Sequence, residues 1–310
     1  MGAPHAVCMV EATRYARIQA TVAPLRHDGG TRVSSLHTLD RSSVEQAFRD
    51  KQRMMASAVL EERRPGLFVF AAHLQYGHVA RLWLEASVEP RAGTVGRHAE
   101  VDLALPLDDS LSLRHLLFVV RRQGPGVLFQ AIDLETFNGI QLESGAAVRS
   151  VEAAGPLILR ASDFIFFCIP SGQAVPWDCD CGDPWSSLRP RIVTRQAPRN
   201  LNASKAMVGS LVAQTSFGER VSAFGATALE RGVLVGRAPR CDVVVPVQTV
   251  SRVHVVVVQL ADALWVIDAG STNGTWRMNE EVKISRVHEG DRFLLGEEVV
   301  LTWRMANLGR

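Results

Sequence analysis

The feature that most constrains the fold of this chain is a repeat within it. Gly96, Arg97, Asp102 and Pro106 fall at the same offsets as Gly236, Arg237, Asp242 and Pro246. Farther along, Ile132, Asp133, Asn138 and Gly139 parallel Ile267, Asp268, Asn273 and Gly274. A third correspondence pairs Ser162-Asp163 with Gly290-Asp291, each followed by apolar residues. Matches in the same order point to a duplicated domain, and the length of 310 residues leaves room for two cores.

Both copies read as β-structure. Short apolar or alternating runs at Leu67–Ala72, Ala80–Ala86, Gly126–Ile132, Pro156–Leu159 and Phe164–Ile169 are separated by turn formers, the pattern of a β-sandwich. Similar runs resume at Val221 and include Gly232–Val235, Val253–Leu260, Leu264–Asp268 and Val299–Trp303. Between the copies, residues 171–217 carry Pro176, Pro184, Pro190 and Pro198 among many polar residues and read as a linker. Ahead of them, residues 1–77 form an extension with one helix at about 43–63. Ser42 and Glu45 fit a capping box, Val44, Ala47, Phe48, Met55, Ala58 and Val59 share a face, and Pro65-Gly66 stops the helix.

The second copy carries three ordered blocks: Gly236-Arg237, Ser251-Arg252-Val253-His254 and Ser271-Thr272-Asn273-Gly274-Thr275. These residue types suit a phosphorylated threonine. A phosphoryl group brings about −1.5 to −2 charge and three acceptor oxygens, which call for a planar Arg fork and hydroxyl donors. Arg237, Ser251, Arg252 and Thr272 provide that set beside strand ends, where a sandwich gathers its loops.

Together the blocks resemble the forkhead-associated (FHA) family, over residues 218–307 closely and over 78–170 weakly. The resemblance implies a mainly β fold, with two FHA-type β-sandwich domains in tandem after the helical extension. It also implies roles: Arg237 and Ser251 on the phosphate, Arg252 at a variable phosphate or peptide position, Thr272 on the phosphate and Asn273 on the peptide main chain. Gly236, His254 and Gly274 become architectural residues of the loops.

The first copy keeps Gly96-Arg97, Ser112, His115 and Asn138-Gly139 but departs at two positions. Leu113 stands where the second copy has Arg252, and Phe137 where it has Thr272. Arg114 is shifted by one place, which on a strand reverses the side it faces. The first copy is therefore expected to be a degenerate site, with an altered pocket built on Arg97 and Arg114 as the competing reading.

The remaining features exclude more than they assert. Basic and acidic residues number 34 and 32, which gives no electrostatic reason for a nucleic-acid or membrane partner. No apolar run reaches the roughly 20 residues of a membrane span, and the first thirty residues lack a secretory core. Five scattered cysteines do not suggest a disulfide framework. Cys179-Asp180-Cys181 is too compact for a structural zinc site, so no metal or cofactor is expected. Phosphate-cradling loops, nucleophile elbows, kinase motifs and a helix-turn-helix are missing from the sequence.

The expectation is a cytoplasmic, non-catalytic adaptor for a phosphothreonine-containing protein, a Ser/Thr kinase or its substrate. The alternative is a phosphate-independent scaffold. Thr31 and Thr38 offer a route to self-regulation if phosphorylated.

Overall fold

The computed structural model describes residues 41–106, 109–172, 183–188, 192 and 207–306. Helix α1 (Arg41–Glu61) comes first. The first sandwich then runs through β1 (Gly66–His73), β2 (Val79–Glu85), β3 (Arg91–Gly96), β4 (Leu103–Ala104), β5 (Leu116–Gln123) and β6 (Gly126–Asp133). It continues with β7 (Ile140–Leu142), β8 (Ala147–Val148), β9 (Ser150–Ala153), β10 (Leu157–Ala161) and β11 (Phe164–Ser171). A short helix, α2 (Pro184–Ser187), follows.

The second sandwich begins with β12 (Met207–Thr215), β13 (Gly218–Gly225), helix α3 (Ala226–Arg231), β14 (Val233–Gly236), β15 (Val243–Val244) and β16 (Val255–Leu260). It ends with β17 (Ala263–Asp268), β18 (Thr275–Arg277), β19 (Glu280–Glu281), β20 (Ile284–Val287), β21 (Arg292–Leu295) and β22 (Val299–Met305).

The duplication is visible strand by strand. The six-stranded sheets run β2-β1-β11-β10-β7-β8 and β13-β12-β22-β21-β18-β19. The five-stranded sheets run β4-β3-β5-β6-β9 and β15-β14-β16-β17-β20. In both small sheets the short strand pairs in parallel, Val95 with Leu103 and Val235 with Val243, while its neighbours are antiparallel. This order corrects one sequence correspondence. Ser162-Asp163 forms the turn between β10 and β11, whereas Gly290-Asp291 lies between β20 and β21; the counterpart of the former is Gly296-Glu297. Short polar turns look alike in sequence, and only strand pairing distinguishes them.

The strands reach beyond the sequence boundaries. β1 lies in the segment assigned to the extension and β12 in that assigned to the linker, yet each is hydrogen-bonded within its own sandwich. The continuous apolar run of β1 has a physical cause: that strand is covered on both faces. In β1, Leu67, Val69 and Ala71 face the first core while Phe68, Phe70 and Ala72 face α1. Val44, Phe48, Met55, Ala58 and Val59 form the buried stripe of that helix, as their spacing predicts. Phe48 packs against Phe167 and against Trp185 of α2, with ring centroids 5.8 and 5.5 Å apart. Trp177, Cys179 and Cys181 lie outside the described residues, as do Thr31 and Thr38.

A fourth apolar cluster joins the two sandwiches through their five-stranded sheets. Leu117, Val119, Ile132 and Leu134 of the first pack on Leu234, Val253, Val256, Val258 and Ile267 of the second. Around that seam Arg149 makes a two-pronged ion pair with Asp242, at 3.1 and 2.5 Å, and Gln130 donates to the carbonyl of Glu230 at 2.9 Å. Among the described residues no helix is long and apolar enough to cross a membrane.

Candidate phosphopeptide-binding site

The site is assembled where β14 ends. The N–H of Arg237 donates to the carbonyl of Ser251 at 3.0 Å and that of Ala238 to Arg252 at 3.0 Å, laying the segment after β14 along the one before β16. This approach requires glycine at position 236, because a Cβ there would overlap the carbonyl oxygen of Arg252.

His254 ties the loops together. It is fully buried, its Nδ1 lies 3.1 Å from the N–H of Ser251, and its Nε2 lies 3.0 Å from the carbonyl of Gly274. An amide N–H can only donate and a carbonyl can only accept, so Nδ1 is unprotonated and Nε2 carries the hydrogen. Burial lowers the imidazole pKa, with the Gly274 hydrogen bond acting in the opposite direction. Asp268, at the end of β17, closes the next turn. Its carboxylate accepts from the N–H and hydroxyl of Ser271 and from the hydroxyl of Thr275, each at 2.6 Å.

Two contacts then join the loops across the site. The Thr272 N–H donates to Ser251 Oγ at 3.0 Å, and Asn273 Nδ2 donates to the Thr249 carbonyl at 2.8 Å. With its oxygen accepting from Thr272, the Ser251 hydroxyl keeps its hydrogen for another acceptor. Asn273 likewise keeps its side-chain oxygen for a donor. Arg237, Arg252, Thr272 and Asn273 are exposed. Neither Arg237 nor Arg252 has a hydrogen-bond or ion-pair partner for its guanidinium among the described residues. Gly274 adopts φ +72°, a conformation that glycine favours.

The first sandwich repeats this frame. Ser112 N–H donates to His115 Nδ1 at 3.1 Å, His115 Nε2 lies 3.1 Å from the Gly139 carbonyl, and Asn138 Nδ2 donates to Ser110 at 2.9 Å. The edge chemistry differs. Arg97 Nε donates to the Leu111 carbonyl at 2.9 Å, and its guanidinium lies 4.0 Å from Asp109. Phe137, at the place of Thr272, is 81% exposed. Ile140 replaces the hydroxyl of Thr275, so Asp133 keeps Thr136 as its hydroxyl donor, and burial pushes its carboxyl up to about 6. The bracing roles of Asp268 and Thr249 were missed by sequence reasoning; the repeated Asp133 and Asp268 were the available signal.

Residues 233–296, from β14 to the turn after β21, match the family model of the FHA domain. The second sandwich is an FHA domain. The matched FHA segment contains all eight residues expected in or around the site. FHA domains are phosphopeptide-binding modules that use Arg-based recognition.

Among solved structures, the chain is similar to Rv1747 FHA-1 of Mycobacterium tuberculosis, at 28% identity over 33% of this chain and 99% of that one, with a TM-score of 0.28. It is also similar to the Slr1951 protein of Synechocystis sp., at 26% identity over 31% and 96% of the two chains, TM-score 0.28. A third is the FhaA FHA domain complexed with the intracellular domain of Rv3910, at 25% identity over 31% and 100%, TM-score 0.27. No curated protein matches the chain.

Proposed function

We propose that the protein is a phosphothreonine-dependent adaptor in Ser/Thr kinase signalling whose ligand is read by the second sandwich. The observation that carries this reading is a contrast between equivalent residues. Arg237 is exposed with an unengaged guanidinium beside the Ser251 hydroxyl loop, whereas Arg97 is turned onto the Leu111 carbonyl of its own loop. Arg237 and Ser251 contact the phosphate, Thr272 and Arg252 add donors, and Asn273 holds the peptide main chain.

Each hydrogen bond to a charged group contributes about 1.5–3 kcal/mol. Three or four of them, less the ordering costs, fit micromolar binding, which corresponds to about −8 kcal/mol. Unphosphorylated threonine would leave these donors unmatched.

The first sandwich acts as a scaffold in this reading, since its Arg97 is engaged and Phe137 occupies the place of a donor. The partner is a phosphorylated kinase or kinase substrate. Unpaired, buried Cys168 and Cys241 suit a reducing compartment such as the cytoplasm. Titration of the full chain with matched phosphorylated and plain threonine peptides tests the proposal. Preference for the phosphorylated form, lost in Arg237→Ala, supports it; equal binding of both forms would favour the phosphate-independent scaffold.

A further inference from the structure

Arg114 belongs to the first sandwich but reaches the second. Its repeat counterpart, Val253, packs in the apolar seam, so the register places Arg114 on the face turned toward the neighbouring sandwich. There it meets Gly270, two residues before Thr272. Arg114 Nε and Cδ lie 3.1 and 3.5 Å from where a Cβ on Gly270 would stand. Gly270 itself has φ +79°, so the loop turns sharply at the point of contact.

The guanidinium is poorly matched by its surroundings. Nε is buried and has no hydrogen-bond partner. The nearby carboxylate of Asp268 is already committed to Ser271 and Thr275. Burial lowers the Arg114 pKa; Asp268 and Glu100 oppose that shift, while the positive charge of Arg252 adds to it. Arg remains charged throughout the physiological range. Among the described residues no anion is bonded to Arg114 or to the exposed Arg252, whose chain neighbour Val253 lies in the same seam.

We propose that Arg114 is a residue of the second sandwich's ligand site contributed by the first, and that with Arg252 it receives a second anionic group of the peptide carrying the phosphothreonine. This rests on the phosphopeptide reading above. The second anion is a carboxylate or another phosphate on the same peptide. In this arrangement the first sandwich, degenerate in its own pocket, sets the specificity of its neighbour's.

The test uses the full chain and three phosphothreonine peptides: one with neutral flanks, one with glutamates flanking the phosphothreonine, and one with a second phosphorylated residue. For wild type, a second anion should improve affinity roughly three- to tenfold, in keeping with charge-assisted bonds at a partly screened edge. The quantity to follow is the ratio of affinities between each doubly anionic peptide and the neutral one. In Arg114→Ala that ratio should fall toward one for whichever anion is the ligand, and Arg114→Lys should restore part of it. The two doubly anionic peptides distinguish carboxylate from phosphate.

An unchanged ratio in Arg114→Ala overturns the proposal. So does an equal weakening for all three peptides, which marks Arg114 as mere support for Gly270. Arg114→Val, the residue type its repeat counterpart carries, serves as a second variant should the alanine form fold poorly. If wild type ignores phosphate altogether, the underlying reading fails as well. Loss of phosphate dependence in Arg237→Ala with an unaltered ratio in Arg114→Ala refutes only this inference.

Discussion

The hydroxyl of Ser251 accepts the N–H of Thr272 at 3.0 Å, so the proposed phosphate donor is also the clasp between two loops. Ser251→Ala should therefore act twice. Peptide affinity should fall roughly ten- to hundredfold, the equivalent of one charge-assisted bond of about 1.5–3 kcal/mol. Hydrogen exchange at the Thr272 amide should also accelerate in the unliganded protein.

Substitution of the two equivalent arginines should give opposite results. Arg237→Ala removes an exposed, unpartnered guanidinium, so thermal stability should be nearly unchanged while calorimetry shows loss of phosphopeptide binding. Arg97→Ala deletes the bond to the Leu111 carbonyl and should destabilise the fold by about 1 kcal/mol. Phosphopeptide affinity should stay at the wild-type value.

Gly236→Ala forces a methyl group into the Arg252 carbonyl. The two segments must separate, at a cost of about 1–3 kcal/mol for overpacking. Urea denaturation should register that loss, and binding should weaken although no ligand-facing side chain has changed.

Acidification should loosen the same loops through His254. Its folded-state pKa lies below the ordinary imidazole value of about 6.5, so the unfolded chain takes up a proton first. Stability from this group is complete above that pH and declines as pH falls below it. Protonation of Nδ1 also expels the Ser251 N–H. The difference in denaturation midpoint between wild type and His254→Gln, followed from pH 8 downward, should shrink as the solution becomes acidic.

Asp242 receives both prongs of Arg149 and the N–H of Leu234, with Arg231 within 3.8 Å. Asp242→Ala leaves Arg231 and a strand amide unmatched at the seam, and Arg149 with only Glu135, at 3.6 Å. The expected loss is about 2–4 kcal/mol, somewhat below that for a fully buried pair because solvent still reaches the edge. A lower melting temperature of the full chain measures it.

Much of this architecture was legible because the repeat preserves residues with specific backbone duties. Gly96 and Gly236 face carbonyls of Leu113 and Arg252 across the same close approach, and His115 and His254 make the same bridge. The helical face of α1 was legible from its apolar spacing. What covers the outer faces of β5 and β16 was not, since Val119 and Val256 are equally apolar whether a helix, a sheet or another chain lies over them. The shift that turns Arg114 around was visible in the sequence, but its destination beside Gly270 depends on how the sandwiches dock. The engagement of Arg97 with Leu111 was likewise invisible, because residue type does not fix which way a long side chain folds.

The apolar seam between the five-stranded sheets has a consequence for capture of partners. Modules strung on a pliable tether gain from proximity by searching space independently. Here the edge proposed to bind phosphopeptide and its counterpart in the first sandwich are held in a single orientation by Leu117, Val119, Val256 and Val258. A partner must therefore present its chemical groups in a matching arrangement from the outset, and selectivity can come from shape as well as from charge.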